Sequence, residues 1–156
     1  MHTSPILESD APSTLRQDPY CRVAPSSAPA PVRLHQMTAG AARRRVVEVV
    51  SEFLRNHAAE GVRIAEASRA VGVSERTLRN AFHHEHGISP KQFDLRERLR
   101  AARRALCEGS SRTVTEIATE FGFFELGRFS RIYRDAFGEL PSQTIKANGL
   151  LMRRAS

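Results

Sequence analysis

The sequence predicts an all-α protein: two helix-turn-helix units joined by a long linker helix, behind a disordered N-terminal tail. Three observations predict it. No segment alternates apolar and polar residues with the period of a strand. Beyond about residue 40 the apolar residues recur at steps of three and four, the period of a helix face. And one pattern of inward face and exit occurs twice: Leu78, Phe82, Gly87 and Pro90 return 51 residues later as Phe129, Tyr133, Gly138 and Pro141. A short helix, a turn opened by glycine and a second amphipathic helix make a helix-turn-helix, so its repetition makes two.

Each element can be justified in order. Residues 1–38 are expected to be disordered, because six of the eight prolines lie in the first 31 residues, among Ala and Ser and with no apolar periodicity. Such a segment cannot bury enough surface to offset its ordering entropy. The domain is expected over residues 39–156, with the first unit at about 43–88, the linker at about 89–108 and the second unit at about 113–148. RRRVVEVVSEFLRNH puts Val46, Val50, Phe53 and Leu54 on one face of a leading helix. AEASRAV is a short helix behind Arg63, a poor cap, and Gly72 opens the turn after it. In GVSERTLRNAF, residues 72–82, a helix starting after Ser74 carries Leu78, Ala81 and Phe82 on one side and Arg76, Arg79, Asn80 and His83 on the other. Gly87 is placed for a left-handed stop, and Pro90 for the first turn of the next helix. That helix, the linker, has Ser89 as cap, Gly109 at its end and one apolar stripe of Leu95, Leu99, Ala102 and Leu106. Thr113 and Glu116 form a capping box ahead of TEIATEF. The second turn, Gly122-Phe123-Phe124, is one residue longer than Gly72-Val73. After Pro141, Ile145 anchors a short last helix, which brings the total to about seven.

Charge divides along the boundary of the tail. Residues 1–40 carry Arg16, Arg22 and Arg33 against Glu8, Asp10 and Asp18, so the formal +7 belongs wholly to the folded part. A basic surface points to an anionic partner, nucleic acid or membrane. Apart from Lys91 and Lys146 the cations are arginines, which suit forked contacts to phosphates and guanine edges. No apolar run approaches membrane-spanning length, and MHTSPILESD lacks the order of a signal peptide. The two cysteines, Cys21 and Cys107, have no metal or disulfide spacing. A reducing, cytoplasmic location is the default expectation.

GVSERTLRNAFHHEHGISPKQF, RLRAARRAL and VTEIATEFGFFELGRFSRIYRDAFGELP together resemble the DNA-binding domain of AraC/XylS-type bacterial transcriptional regulators. The resemblance covers roughly residues 43–146 and includes the longer second turn. It implies two homeodomain-like helix-turn-helix units whose recognition helices enter successive major grooves, roughly 34 Å apart, on one face of double-stranded DNA. No catalytic motif accompanies it, so neither an enzyme nor a cofactor is expected. Family members usually carry a sizeable regulatory domain ahead of this module, which the Pro-rich residues cannot be. The expectation is therefore a stand-alone regulator or a fragment of a longer one, with no small-molecule effector evident and with Met37 as an alternative start.

In the first recognition helix, Arg76, Arg79 and Asn80 match the positions the family uses for base contacts. Their chemistry agrees independently: arginine forks onto guanine O6 and N7, and asparagine onto adenine N6 and N7, each worth about 1–3 kcal/mol of discrimination. Glu75 and Thr77 flank them to order a side chain or touch phosphate, and His83 is a DNA-facing polar residue. Shifting Arg76, Arg79, Asn80 and His83 by 51 residues gives Gly127, Ser130, Arg131 and Arg134. The forks have largely become small residues and cations. The first unit is therefore expected to read sequence, and the second to grip phosphates mainly through Ser130, Arg131 and Arg134, with Arg128 beside them; the competing view has Arg131 read a guanine. Ser74 and Thr113 sit at helix starts that favour anions. Lys91 and Arg96 are candidate clamps or plain surface charges, and Arg43-Arg44-Arg45 a charged helix entry in preference to a contact with flanking DNA.

Other chemistries find less support. HHEH, residues 83–86, lacks the pairing with a third ligand that zinc sites show, and Cys107 reads as a small core or boundary residue. No phosphate loop, nucleophile elbow or carboxylate pair is present. DNA-repair methyl-transfer proteins that carry such a module would need a cluster of cysteines before residue 43, where only Cys21 stands. The remaining alternative is a truncated interaction module that binds another regulator or RNA polymerase without strong sequence-specific DNA binding.

Overall fold

The structure, a computed structural model, describes residues 38–108 and 112–154. The tail expected over residues 1–38, with Cys21 and Met37, lies outside the described residues except for Thr38, as does Gly109. Among the described residues seven helices run in order: α1 (Ala39–Asn56), α2 (Ile64–Ala70), α3 (Glu75–His86), α4 (Pro90–Cys107), α5 (Val114–Glu120), α6 (Leu126–Phe137) and α7 (Pro141–Arg154). No strand occurs among the described residues. Helices α2–α3 and α5–α6 are the two helix-turn-helix pairs, with α4 between them.

Helix boundaries follow local chemistry. Ser74, Ser89 and Thr113 each accept a hydrogen bond from a backbone N–H of the turn they open, satisfying one of the groups that a helix start leaves unpaired. The capping box of α5 forms as expected, and Ser89 forms a second with Gln92. Arg63 makes no side-chain cap, in keeping with its chemistry. Gly87 and Gly138 close α3 and α6 in the left-handed conformation, their N–H groups returning to His83 and Arg134.

Two apolar cores result. The first packs Val46, Val47, Val50, Phe53 and Leu54 of α1 against Ala67, Val71, Leu78, Ala81 and Phe82. The second gathers Leu99, Ala102, Ala105 and Leu106 of α4 with Ile117, Ala118, Phe123, Phe129 and Tyr133. Helix α4 serves both, because Phe93 near its start belongs to the first core and its later residues to the second.

Three details differ from expectation. Helix α4 buries more than one stripe, with Asp94, Glu97 and Arg98 also withdrawn from water. Helix α7 is not short but runs past residue 148 to Arg154. Cys107 is exposed, since at about 100° per residue it lies well round the helix from the core-facing Leu106.

Candidate nucleic-acid interface

Helix α3 is built to hold its polar face outward. The Ser74 hydroxyl accepts from the Thr77 N–H at 3.1 Å and lies 2.8 Å from the Thr77 hydroxyl, so Thr77 braces the cap. Leu78 and Phe82 are fully buried. That anchor leaves Arg76, Arg79, Asn80 and His83 exposed on the opposite side. Neither Arg76 nor Arg79 forms an ion pair among the described residues. The contrast with cations elsewhere is informative: Arg43 pairs with Glu85 at 3.1 Å, Arg55 with Glu97 at 3.8 Å, Arg100 with Glu97 at 2.5 Å and Arg103 with Glu139 at 2.9 Å. Arg43, Arg55 and Arg103 are each held by an acid from another part of the fold, whereas the guanidinium forks of Arg76 and Arg79 are not.

Helix α6 has the same plan with different chemistry. Phe129 and Tyr133 are buried, and Arg128, Arg131 and Arg134 are exposed. Arg131 and Arg134 form no ion pair among the described residues. Ser130 is half-buried, and Gly127 leaves bare backbone at the position of Arg76. The Tyr133 hydroxyl lies 2.9 Å from that of Thr144, which donates to Glu139 at 2.9 Å, and Glu139 accepts from Arg103. This chain of bonds fixes α6 against α7 and α4.

Of the two candidate clamps on α4, one joins the second unit. Lys91 and Arg128 line a cleft of about 210 Å³ with Gln92, Leu95, Arg98 and Ile132. Arg96, five residues further on, lies about 140° round the helix from Lys91, so the two do not share a face. At Thr113 the capping residue's own N–H and hydroxyl are taken up by Glu116, whose carboxylate accepts from them at 2.6 Å and 2.9 Å. The three histidines diverge: His83 faces solvent, His84 meets Glu85 at 3.1 Å, and His86 lies 3.3 Å from the Ser51 hydroxyl while stacking on Phe93.

The sequence reading missed what positions the two faces. Asp94 and Arg98, 5% and 3% exposed, pair at 2.9 Å inside α4. The Arg98 guanidinium lies over the Phe123 ring, 5.4 Å from its centroid, under the second unit's turn. Gly122 in that turn has φ +77, where an L side chain is strained, and a Cβ there would stand 3.3 Å from the guanidinium, close enough that Arg98 would have to shift by a few tenths of an ångström. The adjacent Glu97 turns the other way, to Arg55 of α1. Burial raises the Asp94 pKa above the ordinary aspartate range, with Arg98 opposing. The available signal was the i, i+4 spacing of Asp94 and Arg98, which on a charged helix reads as a solvated pair.

Comparison with known proteins agrees with this architecture. A family model described as a helix-turn-helix domain matches residues 67–147. The "XylDLEGF operon transcriptional activator" of Pseudomonas putida is 42% identical over 105 residues, which are 65% of this chain and 31% of that protein. The chain thus spans about a third of the length of this curated relative. Among solved structures, "a probable AraC family transcriptional regulator" from Rhodopseudomonas palustris superposes with a TM-score of 0.64 at 36% identity, covering 67% of this chain and 97% of the other. A transcriptional regulator from Chromobacterium violaceum with an AraC-type DNA-binding domain gives 0.64 at 25% identity, covering 70% and 96%.

Proposed function

The chain belongs to the AraC/XylS-type family of helix-turn-helix DNA-binding proteins, and from that premise we propose that it is a sequence-specific transcriptional regulator in which the two units do different work. Helix α3 reads base edges in one major groove through Arg76, Arg79 and Asn80. Helix α6 enters the next groove on the same face and holds phosphates with Arg131 and Arg134, supported by Arg128, Ser130 and Lys91. The carrying observation is the contrast between two faces on one scaffold: the inward residues recur at an offset of 51, while Arg76, Arg79 and Asn80 give way to Gly127, Ser130 and Arg131. Exposed forks with no internal ion pair are the form that base readout requires, and exposed cations are the form that phosphate contact requires.

Selection of preferred duplexes from a random pool by the full chain tests the proposal. One enriched asymmetric site is expected, and Arg79→Ala should weaken it by about 1–3 kcal/mol while leaving non-specific binding nearly intact. Equal affinity for every sequence, before and after that substitution, would instead favour the module that binds another regulator or RNA polymerase.

A further inference from the structure

The start of α6 holds a feature that neither the forks of α3 nor a grip on phosphates explains. Among the described residues the exposed large hydrophobics are Phe124, 41% exposed, and Leu126, 39% exposed. They flank Glu125, the residue that opens α6. A single exposed apolar residue is ordinary, whereas two beside one helix start at the functional end of a domain suggest a surface that meets something.

Their position narrows the choice. In a helix-turn-helix the N-terminal residues of the recognition helix are those that reach base edges, and Leu126 is the first residue of α6. Gly127 follows it, and nothing lies within 4 Å of where a Cβ would stand, so the backbone itself can come close to a groove floor. Arg128, Arg131 and Arg134 present cations on the same helix, which draws a polyanion to this face. Glu125 makes no cap bond, unlike Ser74 at the same place in the first unit, and forms no ion pair among the described residues. A carboxylate there repels phosphate but can accept from a cytosine amino group on the groove floor.

We propose that α6 reads thymine C5-methyl groups in its major groove through Leu126 and Phe124, so that the second unit adds specificity by apolar contact while its arginines hold the backbone. The proposal rests on the DNA-binding reading above. Deoxyuridine lacks only the methyl group, which makes it the probe. Thymines in each half of the selected duplex are replaced in turn, and the affinity of the full chain is measured. Uracil under the second unit should weaken wild-type binding about fourfold for each methyl lost, the equivalent of one buried CH₂. The variant Leu126→Ala/Phe124→Ala should bind the thymine and uracil duplexes alike, Leu126→Ala alone should lose part of the difference, and Arg79→Ala should keep all of it. Both side chains are more than half buried, so a modest fall in Tm is expected, and retained helicity together with an unchanged preference for the first half-site shows that the double variant is folded. Equal wild-type affinity for the two duplexes would overturn the proposal, as would a penalty undiminished in the double variant. If the double variant binds the thymine duplex as tightly as wild type, the patch serves a protein partner instead. A pool that enriches no sequence would refute the regulator reading together with this one, whereas an enriched site without a uracil penalty refutes this one alone.

Discussion

Arg79 and Arg131 are both exposed arginines on the outward side of a recognition helix, yet the proposed roles ask different things of the side chain. A base-reading arginine needs the planar fork, because two parallel hydrogen bonds to guanine O6 and N7 carry the discrimination. A phosphate contact needs mainly charge. Replacement by lysine separates the two, since lysine keeps the charge and loses the fork. Arg79→Lys should therefore leave non-specific affinity unchanged while costing most of the roughly 1–3 kcal/mol that Arg79→Ala costs at the selected site. Arg131→Lys should bind selected and random duplexes nearly as wild type does. Competition binding with both duplexes measures this directly, and a selective loss in Arg131→Lys would make Arg131 the guanine reader. These outward residues were legible in the sequence because the helical period alone separates them from Leu78 and Phe82. Cys107 was misjudged because neighbouring residues on a helix differ by about 100° in direction, so a place beside Leu106 does not imply burial.

Among the elements, α5 and α4 show how polar groups set positions that apolar packing leaves free. Helix α5 has only seven residues, too few to be stable alone, and depends on its capping box and its place on the second core. Thr113→Ala should cost about 1 kcal/mol of stability, read from denaturant unfolding. The backbone N–H and hydroxyl of Thr113 hold the Glu116 carboxyl below the ordinary glutamate range. A lowered native pKa means stability that is present above the unfolded value and lost as pH falls through the native one. Glu116→Gln keeps an acceptor but cannot titrate, so the Tm advantage of wild type over this variant should shrink on acidification below the ordinary glutamate range. Asp94 acts with the opposite sign: burial raises its pKa, so its ionisation works against the fold as pH rises from the ordinary aspartate range through the native value. In α4 the Asp94–Arg98 pair is withdrawn from water, and removing one partner strands the other. Arg98→Met should cost about 3–5 kcal/mol, and Asp94→Leu/Arg98→Met much less, because replacing both ends of a buried pair by apolar residues of similar size is often neutral. Thermal or denaturant unfolding of the two variants decides it. Helix order, caps and both apolar faces could be read from sequence, since each rests on residues close together in the chain. The roles of Asp94, Glu97 and Arg98 could not, because they depend on α1 and on the Phe123 turn, which only the folded chain brings to α4.

For the whole molecule, the consequence of these contacts is the relation between the two helix-turn-helix units. Glu97 faces α1 through Arg55, and the next residue, Arg98, lies against the turn that launches α6. Phe93 and Leu99 enter opposite cores from the same helix. A linker fixed at both ends cannot adjust one head without moving the other, so the proposed binding mode demands one helical phase in the DNA. An insertion of about 5 bp between the two half-sites turns the second groove to the far side of the duplex, since one turn is about 10–10.5 bp. Affinity should then fall to that of the first half-site alone. A second insertion of similar length restores the phase but doubles the distance, and a rigid linker predicts little recovery, whereas a flexible one predicts substantial recovery. Salt dependence distinguishes loss of the second head from a weaker general grip. Each phosphate contact contributes a slope of about −0.9 in log K against log salt. If Arg131 and Arg134 both hold phosphates, Arg131→Ala/Arg134→Ala should flatten the slope on the intact site by about 2. On the half-turn duplex, where the second head is already out of reach, the same double substitution should change the slope little. An equal flattening on both duplexes would mean that these arginines act through general electrostatic attraction, and that the second unit does not occupy a groove fixed by α4.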